Sequence, residues 1–191
     1  MVCRFRPERR LRALAEASGL PESEVHARIW ESGLDAGMDR GEYQLGAAHR
    51  AVVHALALRL ELDAVAAFWA LAFEPDPAIL RLVDRIRPRW RTGLLTDNGP
   101  LLRAALPTRL PEVVRRFDWL LFSCEVGAVK PSLALFERVV TRTGCPADGL
   151  LLVDDSRRNV EGARVAGLAA ILYTGPGALA RALRRLAGGA G

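Results

Sequence analysis

Two adjacent carboxylates, Asp154 and Asp155, follow the apolar run Leu150–Val153. The run reads as a buried parallel strand, and Ser156 as the N-cap of a helix extending to about Gly167. Ligands of an open α/β sheet bind at the carboxyl ends of its strands. Two carboxylates there are costly without a cationic partner, and hard oxygen donors with room for water suit Mg²⁺. Taken alone, the pair has the alternative reading of two solvated loop aspartates. A second signal comes from the basic residues: 26 of the 27 are Arg and one is Lys, Lys130. An ammonium is a compact point charge that a planar guanidinium does not replace, although a single lysine can also survive by chance. Lys130-Pro131 lies in the loop after Phe122, and Thr96-Asp97-Asn98 follows Gly93-Leu-Leu at another strand end. A hydroxyl, the backbone amides after it, an ammonium and a metal-holding acidic pair together would bind a phosphoryl group. Thr96 alone reads as a cap or turn residue; the order and shared strand-end location make the set specific.

The elements that must position these residues fall into two blocks. Residues 1–6 are extended in character, and Pro7 suits a first helical turn. Helical spacing then runs to Gly19, and again from Pro21 with Val25, Ile29 and Trp30 on the apolar face. A Gly-rich loop over 32–43 precedes helices over 43–60 and 62–73, and Glu74-Pro-Asp-Pro ends the block. From there helices alternate with strands: a helix over 78–86, a strand ending at Thr96, short helices over 101–106 and 111–116, and a strand over 118–122. A helix over 132–143, the strand 150–153, a strand over 169–173 and a helix over 178–186 complete the chain. This rhythm predicts an α/β fold with a doubly wound parallel sheet. The expected layout is a helical insertion over 8–75 and an α/β core made of 1–7 and 76–191.

With 191 residues the chain can bury a proper core. No apolar run reaches 18 residues and the N-terminus lacks a signal-type apolar stretch, so neither a membrane span nor a secretory signal is expected. Cys3, Cys124 and Cys145 have no metal-type spacing; reduced thiols in the cytoplasm are the simplest account. The net charge of +5 comes from arginines spread along the chain, with aromatics at 6%. The expectation is a dispersed basic surface attracting anionic small molecules, with no nucleic-acid and no membrane partner.

The motifs resemble those of the haloacid dehalogenase superfamily, in the branch of phosphatases with a small helical cap. Leu94-Leu-Thr-Asp-Asn is similar to its second motif, with Thr96 as the phosphate-binding hydroxyl and Asp97 and Asn98 beside it. Val126-Gly-Ala-Val-Lys-Pro is similar to the third, with Lys130 as its lysine. Val153-Asp-Asp-Ser-Arg-Arg-Asn-Val-Glu-Gly-Ala is similar to the fourth, with Asp154 and Asp155 as the metal-side acids and Asp155 counted with Thr96 and Lys130 in the catalytic set. The stretch Asp39-Arg-Gly-Glu resembles a turn in the cap of sugar-phosphate phosphatases. The resemblance implies a Rossmann-like core, Mg²⁺ as cofactor, an aspartyl-phosphate intermediate and a small phosphorylated metabolite as substrate. It makes Trp30, Asp35, Met38 and Arg40 candidates for substrate contact in the cap; core packing is the alternative for Trp30.

Two departures accompany the resemblance. Asp97 stands where the family has a neutral residue, and a carboxylate there repels phosphate unless it points away. The first motif, a strand ending in Asp-x-Asp or Asp-x-Gly that supplies the nucleophile, is absent: the residues from Met1 onward resemble the segment just after that motif. The first central strand of the family's sheet is therefore expected to be missing, leaving two strand edges for Val2–Phe5 or another chain to pair. This predicts a truncated or misassigned start, a longer parent protein, and an inactive chain as it stands. An exposed sheet edge favours self-association into a homo-oligomer. A non-catalytic binding or scaffold protein is the second reading. Dehalogenation of a 2-haloacid, which has no use for an acidic pair, is the third. A response-regulator-like receiver is disfavoured because its acidic pair lies near the N-terminus.

Overall fold

The structure, a computed structural model, describes residues 2–188. Its contacts fall into two compact units. One holds Val2, Asp76–Thr92 and the chain from Lys130 onward; the other holds Cys3–Pro75 and Gly93–Val129. The helical segment expected over 8–75 thus shares a unit with the strands around Thr96 and Phe122. The chain is mixed α/β with parallel strand pairs, as the helix–strand rhythm predicts.

The helical unit begins with β1 (Cys3–Phe5), α1 (Pro7–Ser18) and α2 (Glu22–His26), which continues through a wider turn over Ala27–Glu31. Gly19 closes α1 in the left-handed region (φ 70°), donating its N–H to the Ala15 carbonyl. The segment expected as a Gly-rich loop instead contains α3 (Leu34–Asp39). Gly33 turns the chain at φ 82° and Met38 is fully buried, so packing overrides the loop-like composition. Then come α4 (Leu45–Ala55), α5 (Leu62–Leu71) and a strand the sequence did not announce, β2 (Phe73–Pro75). β2 pairs antiparallel with β1, Cys3 opposite Pro75 and Phe5 opposite Phe73. The extended N-terminal residues therefore pair with β2, not with the central strands as expected. In the same unit β3 (Gly93–Thr96) pairs in parallel with β4 (Trp119–Phe122). Between and after them lie α7 (Pro100–Arg109), α8 (Pro111–Val114) and α9 (Ser123–Val126). Trp69, Leu14, Ile29, Leu101 and Leu121 are buried at its centre.

The other unit contains α6 (Pro77–Ile86), α10 (Leu133–Thr143), β5 (Leu151–Asp154), α11 (Arg157–Val165), β6 (Ala169–Leu172) and α12 (Pro176–Gly188). Asp76 caps α6, its carboxylate accepting from the Ala78 amide at 2.8 Å, with Pro77 in the first turn. Ser156 caps α11 through the Asn159 amide, as the sequence indicates. β5 and β6 are parallel, Leu151 opposite Ala169 and Asp154 opposite Leu172. Among the described residues β3 and β5 each have a single hydrogen-bonded neighbour, so the parallel ladder comes as separate two-stranded pieces.

One close approach sets the loop that carries Lys130. A Cβ built on Gly162 of α11 would lie 2.4 Å from Pro131 Cβ and 2.9 Å from its carbonyl oxygen. Only glycine lets this backbone come so near. Gly162→Ala is expected to cost about 1–3 kcal/mol by overpacking, seen as a lower melting temperature in circular dichroism.

Candidate functional site

In the unit built on β5 and β6, the last residue of β5, Asp154, is 5% exposed. An isolated carboxylate at that depth would be expensive, and three donors meet it. Lys130 Nζ lies 2.9 Å from Oδ2, while Oδ1 accepts from the Ser156 amide at 2.9 Å and from Asn159 Nδ2 at 3.0 Å. Burial raises the carboxyl's pKa, but the charge and hydrogen bond of Lys130 oppose it, helped by Ser156 and Asn159. The net result is an Asp154 held below the usual carboxylate range. The single lysine of the chain is itself half-buried, its side chain 12% exposed, and pairs with Asp154. Asp155, the next residue, is exposed. Asn159, one turn into α11, escaped the sequence reading; its spacing of five from Asp154 across a helix start was the available signal.

Hard carboxylate oxygens at the end of β5 suit Mg²⁺, which keeps several waters and needs one or two carboxylates plus a substrate phosphate. Lys130 holds Asp154 Oδ2, and Asp155 beside it is exposed. Lys130→Met would leave Asp154 buried and unpaired, and is expected to lower stability at pH 7 by about 3–5 kcal/mol. The pair's contribution is complete above the ordinary carboxylate pKa of about 4. It is lost as pH falls through the lowered native value. Urea titrations should therefore show the gap between wild type and variant narrowing in acid.

The helical unit holds the remaining candidates. Thr96 ends β3, and its hydroxyl oxygen accepts from Asn98 Nδ2 at 2.6 Å, leaving the hydroxyl proton to donate elsewhere. The Asn98 amide is committed to Ser123 Oγ at 3.0 Å, and Ser123, fully buried, donates on to the Asp39 carbonyl at 2.6 Å. Ser123 was not foreseen; nothing in its sequence context distinguishes it. Met38 packs against this loop, since a Cβ on Gly99 would meet Met38 Cβ at 2.8 Å, and its complete burial makes it a core residue instead of a substrate contact. Arg40 is exposed and pairs with Glu42 at 2.7 Å.

Trp30 and Asp35 belong to a cluster around Arg10, a residue the sequence reading passed over as one arginine among many. Arg10 is 3% exposed, its guanidinium 4.9 Å from the Trp30 ring centroid and 5.1 Å from that of Trp69. Two long contacts of 3.4 Å join it to Asp35, which also accepts from Trp69 Nε1 at 3.0 Å. Burial lowers the pKa of this guanidinium while Asp35 and Asp39 raise it. Asp39, nearby, has its carboxyl pushed up to about 7, first by burial, then by the charge of Asp35, with Asp97 adding to it. Arg10 and the Gly99 amide pull the other way. Between about pH 4 and 7 the native state therefore keeps a proton that the unfolded chain releases. Stability from this group is full below about 4 and lost as pH rises through 7. Asp39→Asn is expected to flatten that slope, measured by chemical denaturation at pH 5, 6, 7 and 8.

No protein-family model matches the chain. A drimenol cyclase of Aspergillus calidoustus is 30% identical over an alignment of 162 residues that covers 78% of this chain and 28% of that protein. The chain therefore spans little more than a quarter of that curated relative. Among solved structures, a predicted HAD-like family hydrolase from Porphyromonas gingivalis superposes with a TM-score of 0.76 at 21% identity, covering 96% of this chain and 93% of that one. A HAD family enzyme from Bacteroides thetaiotaomicron, in complex with magnesium and inorganic phosphate, has a TM-score of 0.74 at 16% identity over 90% and 88% of the two chains. An L-2-haloacid dehalogenase from Xanthobacter autotrophicus, with chloropropionic acid covalently bound, scores 0.58 at 16% identity over 87% and 71%. With helices alternating with parallel strand pairs, and with such neighbours matched over nearly its whole length, this chain has the haloacid dehalogenase-like fold.

Proposed function

We propose that the chain is a hydrolase-type module that binds the phosphoryl group of a small phosphorylated metabolite together with Mg²⁺, as part of a phosphomonoester hydrolase. The observation that carries this reading is the buried Lys130–Asp154 pair with exposed Asp155 beside it at the end of β5. Further support comes from the Bacteroides thetaiotaomicron enzyme, described with magnesium and inorganic phosphate both as wild type and as an aspartate-to-alanine variant.

In this reading Asp154 orients Lys130 and fixes the start of α11, and Asp155, with Asp154 behind it, holds the cation. Bound there, Mg²⁺ would neutralise charge on the phosphoryl oxygens. In the helical unit the Thr96 hydroxyl, accepting from Asn98 Nδ2, keeps its own proton to donate, while the Asn98 amide is spent on Ser123. Hydrolysis through an aspartyl-phosphate needs a carboxylate that attacks phosphorus as the ester oxygen leaves, and then water to cleave the acyl phosphate. The second reading is phosphate-ester binding without turnover. Cyclisation, named for the Aspergillus calidoustus protein, is not carried over from a match to 28% of its length. Reduced Cys3, Cys124 and Cys145 fit a cytoplasmic setting.

Titration calorimetry with inorganic phosphate and MgCl₂ tests the proposal. Binding is expected to require Mg²⁺ and to weaken at least about tenfold in Lys130→Ala and Asp155→Asn, tenfold corresponding to about 1.4 kcal/mol. Phosphate binding that is absent, or indifferent to both substitutions, overturns it. Phosphate release from a panel of sugar phosphates separates the readings: turnover lost in Asp155→Asn supports hydrolysis, binding without turnover the second.

A further inference from the structure

The expectation of an evenly dispersed basic surface does not hold when the charges are counted by element. Residues 81–91 and 176–188 contain eight of the 27 basic residues and one of the 22 acidic ones; the rest of the chain carries 19 basic and 21 acidic. The surplus positive charge therefore resides entirely in these two stretches. Both belong to the same unit, where α6 packs against α12 through buried residues such as Leu80, Val83, Leu179 and Leu183.

Packing those residues inward turns the arginines outward. Arg81 and Arg85 are exposed on α6; Arg89 and Arg91 are exposed just beyond it. The Trp90 amide bonds to the Ile86 carbonyl at 3.0 Å, so helical winding continues past the end of α6 and brings Arg85 and Arg89 one turn apart. Arg181, Arg184 and Arg185 are exposed on α12 at the three- and four-residue spacing of a single helix face. Among the described residues none of these seven makes an ion pair, whereas Asp84 and Arg87 have partners of their own. Two apolar side chains stand exposed among the arginines: Trp90, 37% exposed between Arg89 and Arg91, and Leu186, 51% exposed after Arg185.

We infer that the α6–α12 face is a docking surface for an anionic phospholipid bilayer. Unpaired arginines within a Debye length of a negatively charged leaflet each strengthen binding about fivefold, and tryptophan and leucine are side chains that enter the headgroup boundary. Nucleic acid is less well served. Neither stretch offers a Ser, Thr, Asn, Gln or Tyr side chain for sugar or base edges, and one tryptophan is not a stacking track. No helix of the described residues is long and apolar enough to cross a membrane, so the contact is peripheral. This inference is independent of the phosphoryl site.

Co-sedimentation of the 191-residue chain with vesicles tests it. At low salt the protein is expected to pellet with phosphatidylcholine vesicles containing 30% phosphatidylglycerol, to stay in solution with phosphatidylcholine alone, and to be released by about 0.5 M NaCl. Replacing Arg85, Arg89, Arg184 and Arg185 by Glu should weaken binding at least about a hundredfold, with circular dichroism and melting showing the variant folded; Trp90→Ala should weaken it without altering the salt dependence. If the four-residue variant fails to fold, Arg184→Gln with Arg185→Gln should still weaken binding about twentyfold or more. No pelleting with anionic vesicles, equal pelleting of the folded charge variants, or retention by duplex DNA alone would overturn the inference.

Discussion

A charge buried at a strand end must be answered, and in one unit of this protein the answer is Lys130. Asp154 sits at the point where β5 gives way to α11, with the Ser156 amide and Asn159 side chain satisfying one carboxylate oxygen and the lysine the other. These contacts join the strand, the helix start and the loop after residue 129. The Gly162–Pro131 approach depends on the same arrangement, because the loop can reach Asp154 only if α11 presents no Cβ in its path. Chemistry and architecture share the same few atoms. Lys130 is held against Asp154, and Asp155 beside it is exposed.

The helical unit solves a similar problem differently. Arg10 is buried without a close bidentate partner; its contacts to Asp35 are 3.4 Å, and its Nε is a buried donor with no hydrogen-bond partner. The faces of Trp30 and Trp69 supply part of what is missing, since aromatic quadrupoles attract a desolvated cation. Trp69 also ties back to Asp35. Around this core the carboxylates crowd, and Asp39 gives way by keeping its proton to near neutrality. A cluster so finely balanced between desolvation and charge stabilises through mutual compensation and contributes little margin of its own.

Much of the fold was legible along the chain. Short apolar runs bounded by turn residues mark β3, β4, β5 and β6 to within a residue or two, and Ser156 and Pro7 mark helix starts for reasons of backbone hydrogen bonding. What was missed is instructive. α3 lies in a segment whose three glycines read as a loop, and only the burial of Met38 explains its winding. β2 has two prolines around it and no apolar alternation; it is a strand because β1 lies alongside. The cap candidates divide in the same way: Trp30 and Asp35 turn out to surround Arg10, and Met38 is interior.

By itself the sequence determined the class of fold, the strand-end positions of Thr96, Asp154 and Asp155, and the isolation of one lysine among 26 arginines. These are local properties: hydrophobic periodicity, capping chemistry and residue type are carried by neighbours in the chain. Tertiary structure alone decided which carboxylate Lys130 neutralises, which arginine is buried between tryptophans, and which arginines are left unpaired on one face. Those outcomes depend on desolvation and on the charges that converge from distant segments. A string of residues does not state either.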